Sequence, residues 1–311
     1  MDAALFGLIV ADLIASPMNL RDPPKPGGLQ ILDTIEFTTG GNVCNTGVAM
    51  AKLGMKVAAA GVVGQDILGA AIIDRLREAG LNVACVFADP RAQTSATVVA
   101  VEPGGERCFF HTPGATTLLD AAAFRRCIPT FAQCAYVQVG YFGLLPSLHA
   151  HLALVLGELA HAAPRTRIAL DTVNPPASLE LLKPVLPYLD LFCPSRTEAQ
   201  ALTGESEPHK MVAAFRGHGS KPQALIGIKL DAEGCYLDDG AQSVFCPPYK
   251  IDCVDTTGAG DTWFGGLLTA LRKSMPFEQA GQFANRVAAD CCTALGASAG
   301  IRSFDETISR V

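Results

Sequence analysis

The middle of the chain alternates short apolar runs with stretches that have the apolar spacing of helices. Residues 135–140 (AYVQVG) are predicted to form a buried strand, and a helix is predicted over about 147–162. Further strands are predicted at 167–171, 189–194 and 224–230. Strands that alternate with helices are typical of a parallel sheet with crossover connections. The pattern therefore predicts an α/β fold with a doubly wound, mostly parallel sheet.

Three polar residues lie at or just beyond the ends of these predicted strands, namely Asp171, Ser195 and Lys229. Ligands of open parallel sheets bind beyond the carboxyl ends of the strands. The three residues are therefore candidates for a binding site at that edge of the sheet.

Two segments do not follow the alternation of strands and helices. Residues 13–38 are rich in proline and glycine, and residues 92–111 hold two β-rich runs around a PGGE turn. Both are predicted to be antiparallel β-structure outside the main sheet, in one small appendage that could act as a lid. The apolar start of the chain, MDAALFGLIVADL, lacks the basic region and the cleavage pattern of a signal peptide, and we interpret it as a first core strand.

Composition narrows the class of protein. The 311 residues, 49% hydrophobic and 17% charged, suffice for one large α/β domain with a small appendage. The net charge of −6 without a basic block argues against a nucleic-acid partner, and the absence of a long apolar run argues against a membrane partner. The eleven cysteines are odd in number and contain no CxxC pair, which favours reduced thiols in a cytoplasmic protein.

The stretch VDTTGAGDTWFGG, residues 254–266, combines a glycine-rich turn with the start of a predicted helix. Gly258, Ala259 and Gly260 are expected at the helix N-terminus, where backbone N–H groups lack intrahelical partners and the helix dipole favours negative charge. Small residues allow a phosphate to come close to the backbone. The turn is therefore a candidate anion hole.

Asp261 follows this turn directly and would repel a phosphate if it served as a ligand. As a general base it would instead accept a proton from a hydroxyl that attacks the phosphate. The alternative is that Asp261 only caps the helix and that the glycines only form a turn. No Walker A loop is present, and the third glycine of a dinucleotide fingerprint is missing. The motif suggests phosphoryl transfer to an alcohol.

A second motif places Gly40 and Gly41 before Asn42 and Asn45, at the start of another predicted helix. Asparagine side chains both donate and accept hydrogen bonds, which suits the recognition of several sugar hydroxyls. Asparagine is also a common helix cap, so a purely structural role is the alternative.

The two motifs together resemble a known family. GGNVCNTGVAMAKLG, residues 40–54, resembles the N-terminal signature of the ribokinase-like (PfkB) carbohydrate kinases, and DTTGAGDTWFGGL, residues 255–267, resembles their C-terminal signature. The signatures occur in the family's order, GxVGxDxxG follows the first at 61–69, and the resemblance spans nearly the whole chain. It implies an ATP-dependent sugar kinase with a ribokinase-like fold.

The resemblance also implies a domain division and an assembly. The large domain would comprise residues 1–12, 38–91 and 113–311, and the β lid would comprise residues 13–37 and 92–112. The lid would cover the sugar and form the interface of a homodimer.

Family roles follow where residues match the motifs. Asp261 matches the catalytic base, and residues 258–260 match the anion hole. The predicted sugar-binding residues are Asp12, Gly40, Gly41 and Asn45, with Asn42 added for its amide. The predicted nucleotide-binding residues are Lys229, Asp231, Gly234 and Asn285.

The metal sites depart from the family pattern at one position. The family's Asn-x-x-Glu motif organises Mg²⁺ through water, whereas this chain has Ser195 and Glu198, which also form a capping-box pattern. Glu198 is still expected to orient water on Mg²⁺, with Asn174 as a further candidate. Asp255, with the loop around residues 296–298, matches the family's site for a monovalent cation such as K⁺.

Two alternatives to a sugar kinase stay open, a nucleoside kinase of the same family and a catalytically silent regulator that binds a sugar or a nucleotide. An acceptor that already carries a phosphate would need a basic residue near its far end. Lys25 and Arg107 of the predicted lid are the candidates for that contact.

Overall fold

A computed structural model of the chain describes residues 1–104, 106–173 and 178–311. The strands are β1 Ala3–Phe6, β2 Val10–Ser16, β3 Thr34–Gly40, β4 Val57–Gly64, β5 Asn82–Asp89, β6 Ala96–Val101, β7 Arg107–Thr112, β8 Tyr136–Val139, β9 Arg167–Leu170, β10 Leu191–Phe192, β11 Leu225–Lys229, β12 Cys235–Asp238 and β13 Ser243–Cys246. The helices are α1 Asn42–Lys52, α2 Ile67–Glu78, α3 Ala121–Phe131, α4 Pro146–His149, α5 Leu152–Ala162, α6 Leu179–Leu182, α7 Arg196–Thr203, α8 Pro208–Gly217, α9 Ala259–Arg272, α10 Phe277–Cys291 and α11 Phe304–Ile308.

The larger sheet has nine strands in the order β13-β12-β11-β10-β9-β8-β1-β4-β5. Neighbouring strands from β11 to β5 are parallel, and β12 and β13 add an antiparallel edge. The predicted doubly wound, mostly parallel sheet is therefore confirmed. Its carboxyl ends bring the loops after β8, β9 and β11 to one edge, where the predicted site lies.

Side chains of a strand alternate between the two faces of a sheet. Both faces of this sheet carry apolar side chains, and helices cover each face. In β1, Phe6 belongs to one core cluster and Leu5 to the other. Phe6 meets Phe124 of α3 edge-on, with ring centroids 5.0 Å apart. On the opposite face, Leu5 shares its cluster with Phe264 of α9. Burial on both faces explains why the strands read as continuous apolar runs.

A smaller sheet of four strands has the order β3-β2-β6-β7. The β2–β3 and β6–β7 pairs are antiparallel, as predicted. The pairing of β2 with β6 is parallel, so the expectation of purely antiparallel structure is wrong at the centre of this sheet. The chain passes through β3, α1, β4, α2 and β5 between these two strands, and such a crossover permits a parallel pairing.

The apolar start of the chain forms two strands rather than the single core strand that was expected. β1 lies in the larger sheet and β2 in the smaller one, joined by residues 7–9. A side chain at Gly7 would collide with the amide of Asn42. Oδ1 of Asn42 accepts a hydrogen bond of 2.9 Å from the N–H of Leu8, so α1 fixes the turn between the two sheets.

Two other predicted elements differ in extent. The helix expected over 147–162 is divided, since α4 ends at His149 and α5 begins at Leu152. The ring of His149 packs edge-on against Phe142 at 4.8 Å and bonds to its carbonyl, which ties α4 to the loop after β8. The strand expected over 189–194 is limited to β10.

The small sheet extends beyond the predicted lid, because β2 begins at Val10 and β3 ends at Gly40. The predicted domain limits stay a prediction. All eleven cysteines carry free thiols, and only Cys108 and Cys253 are exposed. Within the described parts of the chain, the model contains no helix with the length and hydropathy needed to cross a bilayer.

The phenylalanine cluster under α3 provides a test of the core. Phe124 is completely buried, and its ring also lies 5.2 Å from that of Phe131. Phe124→Ala should lower the free energy of unfolding by about 3–5 kcal/mol, because it removes buried apolar surface and leaves a cavity. Urea unfolding followed by circular dichroism measures this loss. Ile67→Ala at the exposed start of α2 is the control and should change stability by less than about 0.5 kcal/mol.

Candidate active site

Gly258, Ala259 and Gly260 lie at the N-terminus of α9, as predicted, and the helix begins at Ala259. Gly258 is its N-cap and has φ +73°, a left-handed conformation that suits glycine. A side chain at Gly258 would also collide with Ala297. Gly258 offers no side-chain cap, and Thr262 donates the first helical bond to its carbonyl at 2.9 Å. The N–H groups of Gly260 and Asp261 are therefore without intrahelical acceptors.

The carboxyl group of Asp261 is buried at the same helix end, with 4% of the residue exposed. Its Oδ2 accepts hydrogen bonds from Nδ2 of Asn45 at 2.8 Å and from the hydroxyl of Tyr141 at 2.7 Å. Its Oδ1 is buried without a hydrogen-bond partner among the described residues. Burial raises the pKa of Asp261, although the bonds from Asn45 and Tyr141 act in the opposite direction. One oxygen is thus fixed by two donors, and the other is left for a further donor.

Tyr141 was missed in the sequence. It follows β8 and has a left-handed backbone with φ +57°, and tyrosine rarely adopts that conformation without a compensating contact. Its position just after a predicted parallel strand was the available signal. Burial raises the pKa of its hydroxyl well above the usual value, so the group stays a hydrogen-bond donor.

Asp12 lies inside β2 rather than at a strand end, and its neighbours on the same face are Thr38 and Thr97. A side chain at Gly40 would collide with its carboxyl group, so glycine leaves the space that Asp12 occupies. Burial raises the pKa of Asp12 to about 6, against a hydrogen bond from Thr97 that lowers it. The place of Asp12 in one site with Asp261 stays a prediction.

Lys229 lies at the end of β11, and its ammonium group is 2.8 Å from Oδ1 of Asp171 at the end of β9. Nζ is also 3.6 Å from the place that a side chain at Gly260 would take. Burial disfavours the charged ammonium, but Asp171 and Glu198 outweigh burial and hold the pKa of Lys229 above its usual range. Burial raises the pKa of Asp171 to about 7. A buried positive charge therefore adjoins the N-terminus of α9.

Ser195 and Glu198 form the predicted capping box at the start of α7. Oε2 of Glu198 accepts bonds from the N–H of Ser195 at 2.8 Å and from the hydroxyl of Thr172 at 2.6 Å. No described residue donates a hydrogen bond to its Oε1. Asn174, the other candidate for the metal, lies outside the described residues.

Asn42 and Gly41 both have structural roles at the start of α1. Asn42 is completely buried, and it holds the turn after β1 instead of facing an open surface. Its Nδ2 has no hydrogen-bond partner among the described residues, and its contact with a sugar stays a prediction. Gly41 has φ +82° and lies against the carbonyl of Leu8, where a side chain would collide.

The predicted nucleotide-binding residues other than Lys229 differ in their surroundings. Asp231 is exposed and Gly234 closes the turn between β11 and β12. Asn285 is buried, accepts a bond of 2.9 Å from the indole of Trp263, and donates to the carbonyls of Cys246 and Pro247. These bonds account for its burial, and its contact with a nucleotide stays a prediction.

Asp255, predicted to bind a monovalent cation, lies in the irregular segment before α9 with 5% of the residue exposed. Arg107 of β7 donates a hydrogen bond to its carboxylate. Further bonds come from the N–H groups of Thr257 at 2.8 Å and Gly296 at 2.7 Å. No cluster of acidic, histidine or cysteine ligands that would hold a metal ion occurs among the described residues.

Comparison with known proteins decides the family. A model described as pfkB family carbohydrate kinase matches residues 2–303. The chain belongs to the pfkB family. It is 27% identical over 289 residues to ribokinase of Haemophilus influenzae, a match that covers 91% of this chain and 90% of the relative. It is 29% identical over 296 residues to fructokinase-1 of Oryza sativa subsp. japonica, covering 88% and 89% of the two chains.

Solved structures agree on the fold. The structure of Arabidopsis thaliana ribokinase complexed with ribose and ATP superposes with a TM-score of 0.84 at 21% identity, covering 99% of this chain and 97% of that one. This chain is therefore a pfkB kinase with the ribokinase fold and a separate small sheet, and its family is that of the ATP-dependent carbohydrate kinases.

The bond from Tyr141 should set the pH dependence of this pfkB kinase. A hydrogen bond to a carboxylate favours the ionised form, so Tyr141→Phe should raise the pKa of Asp261 further. As the pH falls, turnover that needs ionised Asp261 would then be lost sooner than in the unaltered kinase. The acid limb of the kcat/KM profile should therefore move up by about one pH unit. The measurement is kcat/KM as a function of pH with saturating MgATP.

Tyr136→Phe is the matched control, since Tyr136 lies on the same strand β8 but its hydroxyl contacts Arg167. Its acid limb should coincide with that of the unaltered kinase. An unchanged limb in Tyr141→Phe would show that the hydroxyl does not set the protonation of Asp261.

Proposed function

We propose that this chain transfers the γ-phosphoryl group of ATP to a hydroxyl of a small sugar, with Asp261 as the general base. The observation that carries the proposal is the carboxyl group of Asp261, buried at the start of α9 with Oδ2 held by two donors and Oδ1 unpaired. An acceptor hydroxyl that donates to Oδ1 would complete its hydrogen bonds. The names of the relatives, ribokinase and fructokinase, support a sugar as acceptor.

The chemistry proposed for the chain needs a proton acceptor and a place for negative charge. Asp261 takes the proton as the hydroxyl oxygen attacks phosphorus, and Asn45 and Tyr141 hold the carboxylate in position for that transfer. The N–H groups of Gly260 and Asp261 point away from α9 without acceptors and stabilise the equatorial oxygens of the phosphoryl group. The ammonium group of Lys229, beside Gly260, adds a fixed positive charge.

The acceptor is proposed to lie between the small sheet and α1. Asp12 supplies a carboxylate for sugar hydroxyls, and Gly40, which has no side chain, leaves the space that this carboxylate occupies. Arg107, considered for a phosphate on the acceptor, donates to Asp255 and Thr257. Its pairing favours an uncharged acceptor over a phosphosugar.

Some residues near the proposed ATP site suit a nucleotide that carries Mg²⁺. Mg²⁺ keeps several waters and binds mainly through substrate phosphates, where it neutralises their charge. Glu198 has an oxygen that receives no hydrogen bond from the described residues, so it suits a contact through water. Asp231 and Gly234 would adjoin the nucleotide at the turn after β11.

The test is release of ADP by the purified protein with MgATP and a panel of free sugars, nucleosides and phosphosugars. We expect one free sugar to stimulate ADP release. Stimulation by a nucleoside and by no free sugar would instead support a nucleoside kinase of the same family. Asp261→Asn should lower kcat by about 10²–10⁴-fold, because general-base catalysis supplies that factor. Its affinity for the acceptor, measured by calorimetry, should stay within about threefold of the unaltered value, since binding and base catalysis are separable.

Asp74→Asn on the exposed face of α2 is the control for the amide substitution, and it should keep full activity. Equal kcat in Asp261→Asn and the unaltered protein would contradict the role of Asp261. Silence across the panel, with acceptor binding intact, would favour the regulator instead.

We also propose a homodimer through the small sheet and a cytoplasmic location, the latter supported by the free thiols. Cross-strand pairs place Val98 beside Phe110 on the sheet face opposite to Asp12. Phe110 is 58% exposed and Ile35 of edge strand β3 is 70% exposed. Large apolar side chains exposed on one face of a sheet are candidates for an interaction surface.

Light scattering after size exclusion should give twice the mass of one chain. Phe110→Asp combined with Ile35→Asp should give a single-chain mass, because burying two carboxylates in the interface is unfavourable. Ile67→Asp, exposed on α2 in the large domain, should leave the mass doubled. A single-chain mass for the unaltered protein would rule the dimer out.

A further inference from the structure

Asp255 lies six residues before Asp261, in the segment that leads into the glycine-rich turn. Both of its oxygens accept hydrogen bonds from groups of this chain, with Arg107 and the N–H of Thr257 on Oδ1 and the N–H of Gly296 on Oδ2. Burial raises the pKa of Asp255, but these hydrogen bonds outweigh burial and bring it to about 2. The carboxylate is therefore ionised, and it already has a positive partner.

That partner comes from the other sheet. Arg107 is the first residue of β7 in the small sheet, and 20% of its side chain is exposed. It also donates a hydrogen bond of 2.8 Å to the hydroxyl of Thr257, next to Gly258. Alternation along β7 puts Arg107 on the same face as His111, which pairs with Thr97 beside Asp12. The guanidinium group thus crosses from the acceptor-facing side of the small sheet to the turn before α9.

The carbonyls expected to complete a cation site have donors as well. The ammonium group of Lys52, in the last turn of α1, donates to the carbonyl of Ser298 at 2.7 Å. The thiol of Cys291 lies 3.4 Å from the carbonyls of both Thr257 and Ala297. Hard cations take oxygen lone pairs as ligands. The expected cation ligands are instead engaged by one guanidinium, one ammonium and one thiol.

We propose that the guanidinium group of Arg107 takes the place beside Asp255 that a monovalent cation would occupy, so that this kinase works without K⁺. The expected role of Asp255 as a cation ligand is thereby replaced by an ion pair within the chain. Lys52 supports the arrangement by neutralising the carbonyl dipole of Ser298. The positive charge next to the glycine-rich turn is then supplied by the small sheet, and it is in place only while that sheet lies against the turn.

A cavity of about 470 Å³ adjoins the ion pair and is lined by Arg107, Phe109 and residues 253–257. Ions in solution therefore have access to Asp255 once the guanidinium group is removed. That access makes substitution of Arg107 a direct test, because K⁺ can enter the place it leaves.

The experiment compares the unaltered protein with Arg107→Gln in potassium chloride and in tetramethylammonium chloride at equal ionic strength, so that screening is the same in both salts. The midpoint of thermal unfolding and the rate of ADP release are measured for each. The unaltered protein should give the same midpoint and the same rate in both salts. Arg107→Gln should melt about 2–4 °C lower in tetramethylammonium and regain most of that loss in K⁺, since a ligand that binds only the folded state stabilises it.

Arg21→Gln is the matched control, because Arg21 precedes β3 in the predicted lid and, among the described residues, its ion pairs are with Glu102 and Glu106 of that lid. It should respond to neither salt. The activity readout rests on the proposed function, but the unfolding midpoint does not. If no acceptor supports turnover, the proposed function fails while the unfolding experiment still decides the role of Arg107.

Two outcomes would overturn the proposal. A higher midpoint or rate of the unaltered protein in K⁺ would mean that a cation binds beside Arg107 and not in its place. An Arg107→Gln variant that ignores K⁺ would mean that no cation site underlies the ion pair. If Arg107→Gln does not fold, the unaltered protein still gives the first comparison, and Arg107→Met, which removes the charge from a side chain of similar length, gives the second.

Discussion

The buried carboxyl group of Asp261 is the constraint on which the arrangement of the site depends. A charge withdrawn from water is tolerated only if hydrogen bonds replace the lost hydration. Those bonds come from Asn45 on α1 and Tyr141 after β8, and the helix end of α9 favours negative charge. Elements from three distant parts of the sequence must therefore meet at one point. Tyr141 follows β8 of the larger sheet, whereas Asn45 lies on α1 directly after β3 of the small sheet, so both sheets contribute to the position of this point.

Charge is distributed unevenly around this point. Four carboxyl groups, those of Asp12, Asp171, Glu198 and Asp261, belong to the proposed site, and the ammonium group of Lys229 adds a positive charge beside Asp171. An anionic phosphate is repelled by such surroundings except where backbone amides and Lys229 face it. The amides of Gly260 and Asp261 adjoin Lys229, so the donor has one favourable side of approach. The acceptor, which is uncharged in our proposal, is free to lie among the carboxylates.

Local signals explain what the sequence could predict. The glycine turn, the helix after it and the capping box at Ser195 depend on residues a few positions apart, and all three are present. The parallel strands were visible because burial on both faces makes them continuously apolar. The division between β1 and β2 was missed for the same reason, since an apolar run carries no mark of the sheet to which it belongs. Only the packing of Asn42 against Gly7 reveals that boundary.

Contacts between distant segments explain what could not be predicted. Tyr141 and Asp261 are 120 positions apart, and no pattern along the chain links them. Arg107 was noticed for its charge, but its partner Asp255 is known only once β7 lies against the turn before α9. Asn285 looks like a free polar residue on a helix until its bonds to Trp263 and two carbonyls are seen. A motif thus identifies residue types, whereas tertiary structure decides which of their atoms remain available.

The short link between β1 and β2 has an evolutionary consequence. Residues 7–9 form the shortest of the links between the larger sheet and the small sheet, which carries Asp12, and both donors to Asp261, Asn45 and Tyr141, lie outside the small sheet. Substitutions in the small sheet can change the shape offered to an acceptor without disturbing the hydrogen bonds of the base. A lineage with this architecture can therefore acquire a new substrate while it inherits the phosphoryl-transfer apparatus unchanged.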